Sequence, residues 1–177
     1  MGSLFLVGYM GSGKSSVGKR LANRLEMEFV DMDRLIESFA NATVDDIFDK
    51  SGEETFRALE NHILEKLLSG EPKVIATGGG TPCHSGNMTK IMNSSFAVYL
   101  EVPPNKLAKR VKQSKQNRPL IREKTGEDLF AFVKKHFESR AVYYDQAHIT
   151  VDGDKVNSEL LDTIKDSYLD WMGAQTR

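Results

Sequence analysis

The sequence lacks several features that would assign it to a special class of protein. It has one cysteine, Cys83, among 177 residues, so no internal disulfide can form, which fits a reducing compartment. The formal net charge is −1, which argues against a dedicated partner among nucleic acids or anionic membranes. No apolar run reaches the length of a transmembrane helix, and the apolar run Leu4–Val7 lacks the basic n-region and long h-region of a signal peptide. These absences predict a cytoplasmic protein that binds neither nucleic acid nor membrane.

The pattern of apolar residues predicts one α/β domain. A chain of 177 residues is long enough to bury a single sizeable core. Short apolar runs separated by helix-like segments predict a parallel sheet flanked by helices. These runs are Leu4–Tyr9, Phe29–Asp31, Val74–Thr77, Phe96–Val102 and His148–Val151. No apolar stripe is left over for a second copy, so we expect a monomer.

Two regions between or after the strands carry helical patterns of particular interest. About forty residues separate the second and third runs, and within them Thr43–Lys50 and Glu53–Ser69 have helical spacing. We expect these helices to form an insert on the ligand side of the sheet. Residues 126–146 and Ser158–Met172 also show apolar residues at spacings of three and four, with Ser158 as the expected N-cap of the last helix.

A phosphate-binding motif fixes the broad class of the protein. Residues 8–15 read GYMGSGKS, which matches G-x-x-x-x-G-K-[ST], and they lie between an apolar run and a helical segment. Gly11 and Gly13 let backbone N–H groups surround phosphate oxygens at a helix N-terminus. Lys14 is expected to reach the β- and γ-phosphates, and the hydroxyl of Ser15 to bind Mg²⁺. The sequence therefore predicts a nucleotide-binding protein.

Several nucleotide-binding classes are disfavoured by what accompanies the motif. Ser16 stands where a dinucleotide fingerprint requires its third glycine. No D-x-x-G follows the third strand, and the stretch that begins at Asn105 lacks the aspartate of a guanine-reading N-K-x-D. A small phosphotransferase remains. Its metal needs a carboxylate, for which the candidates are Asp31 with Asp33, placed on one side by strand alternation, or Glu101.

A basic segment has the composition of a phosphate-covering lid. Between Lys106 and Lys124 there are eight basic residues and one acid. Such a run is often only a solvated surface. In a phosphotransferase, however, a mobile basic segment that closes over ATP would neutralise the transferring charge and exclude water. Arg118, stiffened by the following Pro119, is the best candidate within it.

The sequence resembles the shikimate kinase family along nearly its whole length. The resemblance rests on GSGKSS at 11–16, DMD at 31–33, GEETFRALE at 52–60, TGGG at 77–80, KRVKQSKQNRPL at 109–120 and SRAVYYDQA at 139–147. It implies a three-layer P-loop kinase fold with a five-stranded parallel sheet in the order 2-3-1-4-5. It also implies a substrate-binding insert at about 33–61 and a mobile lid at about 112–125. The implied reaction is ATP- and Mg²⁺-dependent phosphorylation of the 3-hydroxyl of shikimate, in chorismate and aromatic amino-acid biosynthesis.

The resemblance also assigns residues to the nucleotide end of the site. Asp31 would help hold Mg²⁺ through water beside Ser15, and Arg110 would stack near adenine. Lys14 and Arg118 would act on the phosphates during transfer. The complete nucleotide-binding set is Gly11, Ser12, Gly13, Lys14, Ser15, Ser16, Arg110 and Arg118. The family often has proline after its Val-Asp adenine loop, whereas Ser158 stands at that place here, so the resemblance does not define the adenine contacts.

At the acceptor end the resemblance assigns an acid and two arginines. Asp33 would hydrogen-bond the acceptor hydroxyls. It would either act as the catalytic base or only orient these hydroxyls. Arg57 and Arg140 would bind the substrate carboxylate with their planar guanidinium groups. From the residues alone, Glu53 four positions before Arg57 predicts a simple surface pair on a helix. Only the resemblance favours substrate binding.

Three consecutive glycines follow the third predicted strand. We expect Gly78, Gly79 and Gly80 to form a floor on which the acceptor lies, because a Cβ atom would intrude on that space.

Two other functions remain open. One is a P-loop kinase for another small acceptor, such as gluconate or a nucleoside monophosphate. The other is an ATP-dependent regulatory module whose basic segment contacts nucleic acid or protein.

Overall fold

The computed structural model describes residues 2–113 and 125–175. Arg118 and most of the predicted lid at about 112–125 lie outside these ranges. The described residues form five strands and seven α-helices.

The strands form one parallel sheet in the predicted order. Their bounds are β1 Leu4–Val7, β2 Glu28–Asp31, β3 Lys73–Ala76, β4 Phe96–Glu101 and β5 Ile149–Asp152. The sheet order is β2-β3-β1-β4-β5, and every neighbouring pair is parallel. The α/β fold class and the order 2-3-1-4-5 are therefore confirmed.

The central strand separates two hydrophobic cores. Leu4 and Leu6 of β1 pack in one core, and Phe5 and Val7 pack in the other. Successive side chains of a strand point to opposite faces, so a strand that is buried on both faces must be apolar throughout. This explains why the runs that predict the strands are continuous and do not alternate with polar residues.

The helices cover both faces of the sheet. Their bounds are α1 Lys14–Leu25, α2 Met32–Ala40, α3 Val44–Ser69, α4 Asn87–Ser94, α5 Pro104–Gln113, α6 Gly126–Tyr144 and α7 Ser158–Gln175. Helices α1 and α7 supply the core on one face, while α2 to α6 supply the core on the other. This arrangement is the predicted three-layer fold. A short 3-10 turn, Thr81–Cys83, follows the three glycines.

The two helices predicted between β2 and β3 form one bent helix, α3. Its start is fixed by a capping box, in which the hydroxyl of Thr43 accepts from the backbone N–H of Asp46 and the Asp46 carboxylate accepts from the backbone N–H of Thr43. Gly52 has φ +81° and ψ 168°, so the helix bends there. Helix α2 and the first part of α3 cover the range of the predicted insert, 33–61.

Two predicted details of the helix starts are wrong. Helix α2 begins at Met32, so strand alternation does not apply to Asp31 and Asp33. Asp31 is the N-cap of α2, and its carboxylate accepts from the backbone N–H of Arg34 at 3.4 Å. At α7, the side chain before Ser158 makes the cap, because Oδ1 of Asn157 accepts from the backbone N–H of Leu160 at 2.8 Å.

No helix in the part of the chain that the structure describes is long and apolar enough to cross a membrane.

Two helical glycines give a matched test of the packing. A Cβ on Gly18 in α1 would lie 2.4 Å from the ring of Phe29, whereas a Cβ on Gly173 in α7 would meet nothing within 4 Å. Gly18→Ala should lower the free energy of unfolding by about 1–2 kcal/mol, because the clash outweighs the better helix propensity. Gly173→Ala should raise it by up to about 1 kcal/mol. Urea unfolding measures both, and a Gly18→Ala protein as stable as Gly173→Ala would contradict this packing.

Candidate active site

A large cavity lies at the carboxyl ends of β1, β2 and β3. Its volume is about 1120 Å³. Parallel strands bring the segments that follow them to one edge of the sheet, so distant parts of the sequence meet there. The predicted site residues that line it are Gly11, Gly13, Lys14, Ser15, Ser16, Asp31, Asp33, Arg57, Gly78, Gly79, Gly80, Arg110 and Arg140. Of the other two, Ser12 is a fully buried residue of the phosphate-binding motif, and Arg118 lies outside the described residues.

The phosphate-binding motif at residues 8–15, called the phosphate loop below, connects β1 to α1 at one end of the cavity. Gly13 is the N-cap of α1 with φ +99°, a conformation that favours glycine. Lys14 is folded back on the loop, and its Nζ donates to the carbonyls of Gly8 at 2.8 Å and Tyr9 at 2.9 Å. The helix N-terminus and the ammonium group together make this end of the cavity suitable for phosphate.

An oxygen pair stands beside the phosphate loop. The hydroxyl of Ser15 donates to Oδ2 of Asp31 at 2.6 Å. Mg²⁺ prefers oxygen ligands and is commonly held by one or two protein oxygens together with phosphates and water. Within residues 2–113 and 125–175, no group of three or more His, Cys, Asp or Glu side chains could hold a metal ion by itself. The pair therefore fits Mg²⁺ that is held jointly with a nucleotide.

Arg57 is held at the other end of the cavity by two glutamates. Its Nη1 donates to Oε2 of Glu60 at 2.9 Å, and its Nη2 donates to Oε1 of Glu53 at 3.0 Å. The side chain of Arg57 is only 13% exposed and that of Glu60 only 1%. The hydroxyl of Thr81 donates to the other oxygen of Glu60 at 2.6 Å. The predicted Glu53–Arg57 pair is present, but Arg57 is largely buried, so it is more than a surface pair.

Sequence reasoning missed Glu60. Its spacing of three residues from Arg57 on one helix was the available signal. A charged residue is almost never fully buried without a partner, and here the carboxylate is matched by a guanidinium and a hydroxyl. Glu60 therefore fixes the orientation of Arg57.

Arg140 projects from α6 into the same cavity. The residue is 8% exposed, and its guanidinium interacts with the hydroxyl of Tyr144. Arg57 and Arg140 are both close enough to His84 to lower its pKa, although burial is the larger cause. The acceptor end of the cavity thus contains two cationic groups that come from separate helices.

The loop of Gly78, Gly79 and Gly80, called the glycine loop below, leaves room for three other groups of the protein. A Cβ on Gly78 would lie 2.6 Å from Oδ1 of Asp33, and one on Gly80 would lie 2.7 Å from Nη1 of Arg57. A Cβ on Gly79 would lie 3.1 Å from the backbone N of Met10 in the phosphate loop. The absence of side chains at these glycines therefore leaves room for other groups of the protein. The sequence alone does not reveal this reason for the three glycines. The expected floor for an acceptor stays a prediction.

Arg110 links the phosphate loop to the segment after β5. Its Nη1 donates to the carbonyl of Gly11 at 3.3 Å, and its Nη2 donates to Oδ1 of Asp154 at 2.9 Å. Asp154 also pairs with Lys106. The hydrogen bond from Lys106 is the main cause that lowers the pKa of Asp154. Sequence reasoning left this segment undefined and did not find Asp154.

A second contact joins the phosphate loop to α6. The hydroxyl of Tyr9 and Nδ1 of His136 are 2.9 Å apart. Burial and the nearby cation of Arg140 lower the pKa of His136 to about 4. The imidazole is therefore neutral near pH 7 and can keep a hydrogen bond with Tyr9.

These features together define a class. A phosphate loop at the carboxyl edge of a 2-3-1-4-5 parallel sheet, opposite an acid and two arginines in one cavity, is the arrangement of a P-loop kinase that acts on a small acceptor.

Comparison with known proteins identifies the family. A family model described as shikimate kinase matches residues 10–169. A shikimate kinase of Parabacteroides distasonis is 42% identical over 159 residues, which cover 90% of this chain and 92% of that protein. The chain belongs to the shikimate kinase family, which confirms the resemblance.

Solved structures of shikimate kinases have the same fold. The enzyme of Bacteroides thetaiotaomicron superposes with a TM-score of 0.86 at 34% identity, covering 97% of this chain and 98% of that one. The enzyme of Acinetobacter baumannii, solved in complex with shikimate, gives a TM-score of 0.82 at 32% identity, covering 99% and 94%. These matches do not favour an acceptor such as gluconate or a nucleoside monophosphate.

Proposed function

We propose that this chain transfers the γ-phosphoryl group of ATP to the 3-hydroxyl of shikimate, in the pathway to chorismate and the aromatic amino acids. The observation that carries the proposal is a single cavity with a phosphate loop at one end and Arg57, Arg140 and Asp33 at the other. Membership of the shikimate kinase family supports it, as does the related enzyme from Acinetobacter baumannii that binds shikimate.

The nucleotide lies along the phosphate loop and α1 in this proposal. Backbone N–H groups between Gly11 and Ser16 surround the phosphates, and Lys14 leaves its carbonyl partners to contact the β- and γ-phosphates. Arg110 packs beside the adenine. Ser15 and Asp31 would hold Mg²⁺, which would neutralise phosphate charge.

The acceptor lies over the glycine loop. Arg57 and Arg140 bind the carboxylate of shikimate, because planar guanidinium groups match a carboxylate with two parallel hydrogen bonds. Asp33, against Gly78, faces the ring hydroxyls. It orients the 3-hydroxyl and accepts its proton as the new bond to phosphorus forms. Gluconate also carries a carboxylate, but it lacks the rigid ring that sets the distance between these groups.

Catalysis in this scheme is positioning and charge neutralisation. The acceptor oxygen attacks the γ-phosphorus in line, the bond to the ADP oxygen breaks, and no covalent enzyme intermediate forms. Lys14 stabilises the charge that develops on the transferred group. In this proposal Arg118 and the lid at about 112–125 close over the phosphates. The insert at 33–61 forms the acceptor side, and we expect a cytoplasmic monomer.

An acceptor panel tests the proposed function. We expect ADP release with Mg²⁺ and ATP to depend on shikimate and to exceed the release with gluconate or AMP by at least about 100-fold, since a site built for one hydrogen-bonding pattern rejects others strongly. A coupled spectrophotometric assay measures this. Equal turnover with gluconate, or no turnover with shikimate, would contradict the proposal.

Arg57→Lys tests the carboxylate site without leaving Glu60 unpaired. Lysine keeps the positive charge but loses the planar pair of donors. We expect the KM for shikimate to rise about tenfold, which corresponds to about 1.4 kcal/mol, while the KM for ATP stays within about twofold.

Arg24→Lys is the matched control for this substitution. Arg24 pairs with Asp162 between α1 and α7, outside the cavity. Both KM values should therefore match those of the wild type. An unchanged shikimate KM in Arg57→Lys would show that Arg57 does not bind the carboxylate.

A further inference from the structure

We propose that Tyr144 is a positioning residue whose hydroxyl sets the geometry of the acceptor site by holding the peptide between Gly79 and Gly80 and the guanidinium of Arg140. The inference rests on the proposed function, because it assigns that peptide and Arg140 to the binding of shikimate. Tyr144 itself is fully buried and touches no substrate in this proposal.

The first observation is a hydrogen bond between distant parts of the chain. Tyr144 is the last residue of α6, and its hydroxyl donates to the carbonyl of Gly79 at 2.5 Å. The same hydroxyl interacts with Arg140 and with the thiol of Cys83. Burial raises the pKa of Tyr144 well above its ordinary value, so the phenol stays protonated and remains a donor.

Because the peptide between Gly79 and Gly80 is trans, the hydrogen bond from Tyr144 also sets the direction of the N–H of Gly80. In a trans peptide the C=O and N–H groups point in opposite directions. The carbonyl of Gly79 points toward the buried end of α6. The N–H of Gly80 therefore points away from the hydroxyl of Tyr144, and we infer that it faces the cavity that Gly80 lines. A bond from Tyr144 thus aims a backbone donor at the acceptor.

The glycine loop has a second contact that limits its movement. A Cβ on Gly79 would lie 3.1 Å from the backbone N of Met10, so Gly79 is packed against the phosphate loop. Tyr144 holds the same residue from the side of α6. Glycine permits many backbone conformations, so without the hydroxyl the peptide could rotate to satisfy its carbonyl elsewhere.

Three residues on one face of α6 connect both loops to Arg140. His136, Arg140 and Tyr144 follow one another at intervals of four, which places them in a row along the helix. His136 contacts Tyr9 of the phosphate loop at one end of the row, and Tyr144 contacts Gly79 at the other. Arg140 lies between these two fixed points, so its guanidinium has a defined position relative to both loops.

Core packing explains the ring of Tyr144 but not its hydroxyl. The ring packs beside that of Tyr99, with centroids 5.3 Å apart. Phenylalanine would preserve this packing, and it would remove only the hydroxyl, with its contacts to Gly79, Arg140 and Cys83. The substitution Tyr144→Phe therefore separates the two roles.

Tyr168→Phe provides a matched control. Tyr168 is also buried, and its hydroxyl also donates to a backbone carbonyl, that of Gly2 at 2.8 Å. It lies on α7 in the core on the other face of the sheet. Loss of this hydrogen bond should reduce stability by an amount similar to that in Tyr144→Phe without any effect on substrate binding.

The experiment compares the kinetics of the two variants with those of the wild type. In Tyr144→Phe we expect the KM for shikimate to rise about tenfold while the KM for ATP stays within about twofold. In Tyr168→Phe both KM values should stay within about twofold. An unchanged shikimate KM in Tyr144→Phe, or an equal rise in both KM values, would overturn the proposal.

A measurement on the wild type keeps the inference testable if Tyr144→Phe does not fold. In protein labelled with ¹⁵N-glycine, saturating shikimate should shift the amide resonance of Gly80 strongly and that of Gly70, at the end of α3, hardly at all. An unmoved Gly80 resonance would overturn the proposed orientation of this N–H. A wild type that neither binds nor turns over shikimate would instead contradict the proposed function, which distinguishes the two failures.

Discussion

The absence of side chains at Gly78, Gly79 and Gly80 is the constraint on which the site depends. A Cβ atom on Gly78 or Gly80 would collide with Asp33 or with the guanidinium of Arg57, and one on Gly79 would be in tight contact with the backbone of Met10. The loop thereby brings an acid, the phosphate loop and a cationic group around one short piece of backbone. The flexibility that glycine brings is offset by contacts from both sides of the loop.

Charge is arranged around this loop in a similarly constrained way. Arg57 is buried against Glu60, and Arg140 is held near Tyr144, so neither cation is free to search for a partner. A largely buried guanidinium that is already oriented loses little conformational freedom when it binds a carboxylate. At the other end, Lys14 rests on loop carbonyls beside the Ser15–Asp31 pair. The cavity therefore has cationic groups at both ends, and Asp33 lies at the end that contains the two arginines.

Sequence patterns predicted the fold and the phosphate loop well, because both depend on local signals. Apolar runs defined the strands, and GYMGSGKS carries its geometry within eight positions. The function of Tyr144 escaped prediction because its partner is 65 residues away and nothing local marks it. Glu60 has a local signal in its spacing from Arg57, but its burial depends on Thr81, which is 21 residues away. The start of α2 was also missed, since Asp31 serves at once as strand end, helix cap and partner of Ser15.

A crystal structure with shikimate and ADP would show whether the acceptor lies over the glycine loop. The predicted result has the carboxylate between Arg57 and Arg140, the ring over Gly78–Gly80, and the 3-hydroxyl within hydrogen-bond distance of Asp33. A shikimate molecule whose carboxylate contacts neither arginine, or whose 3-hydroxyl points away from Asp33, would contradict the account.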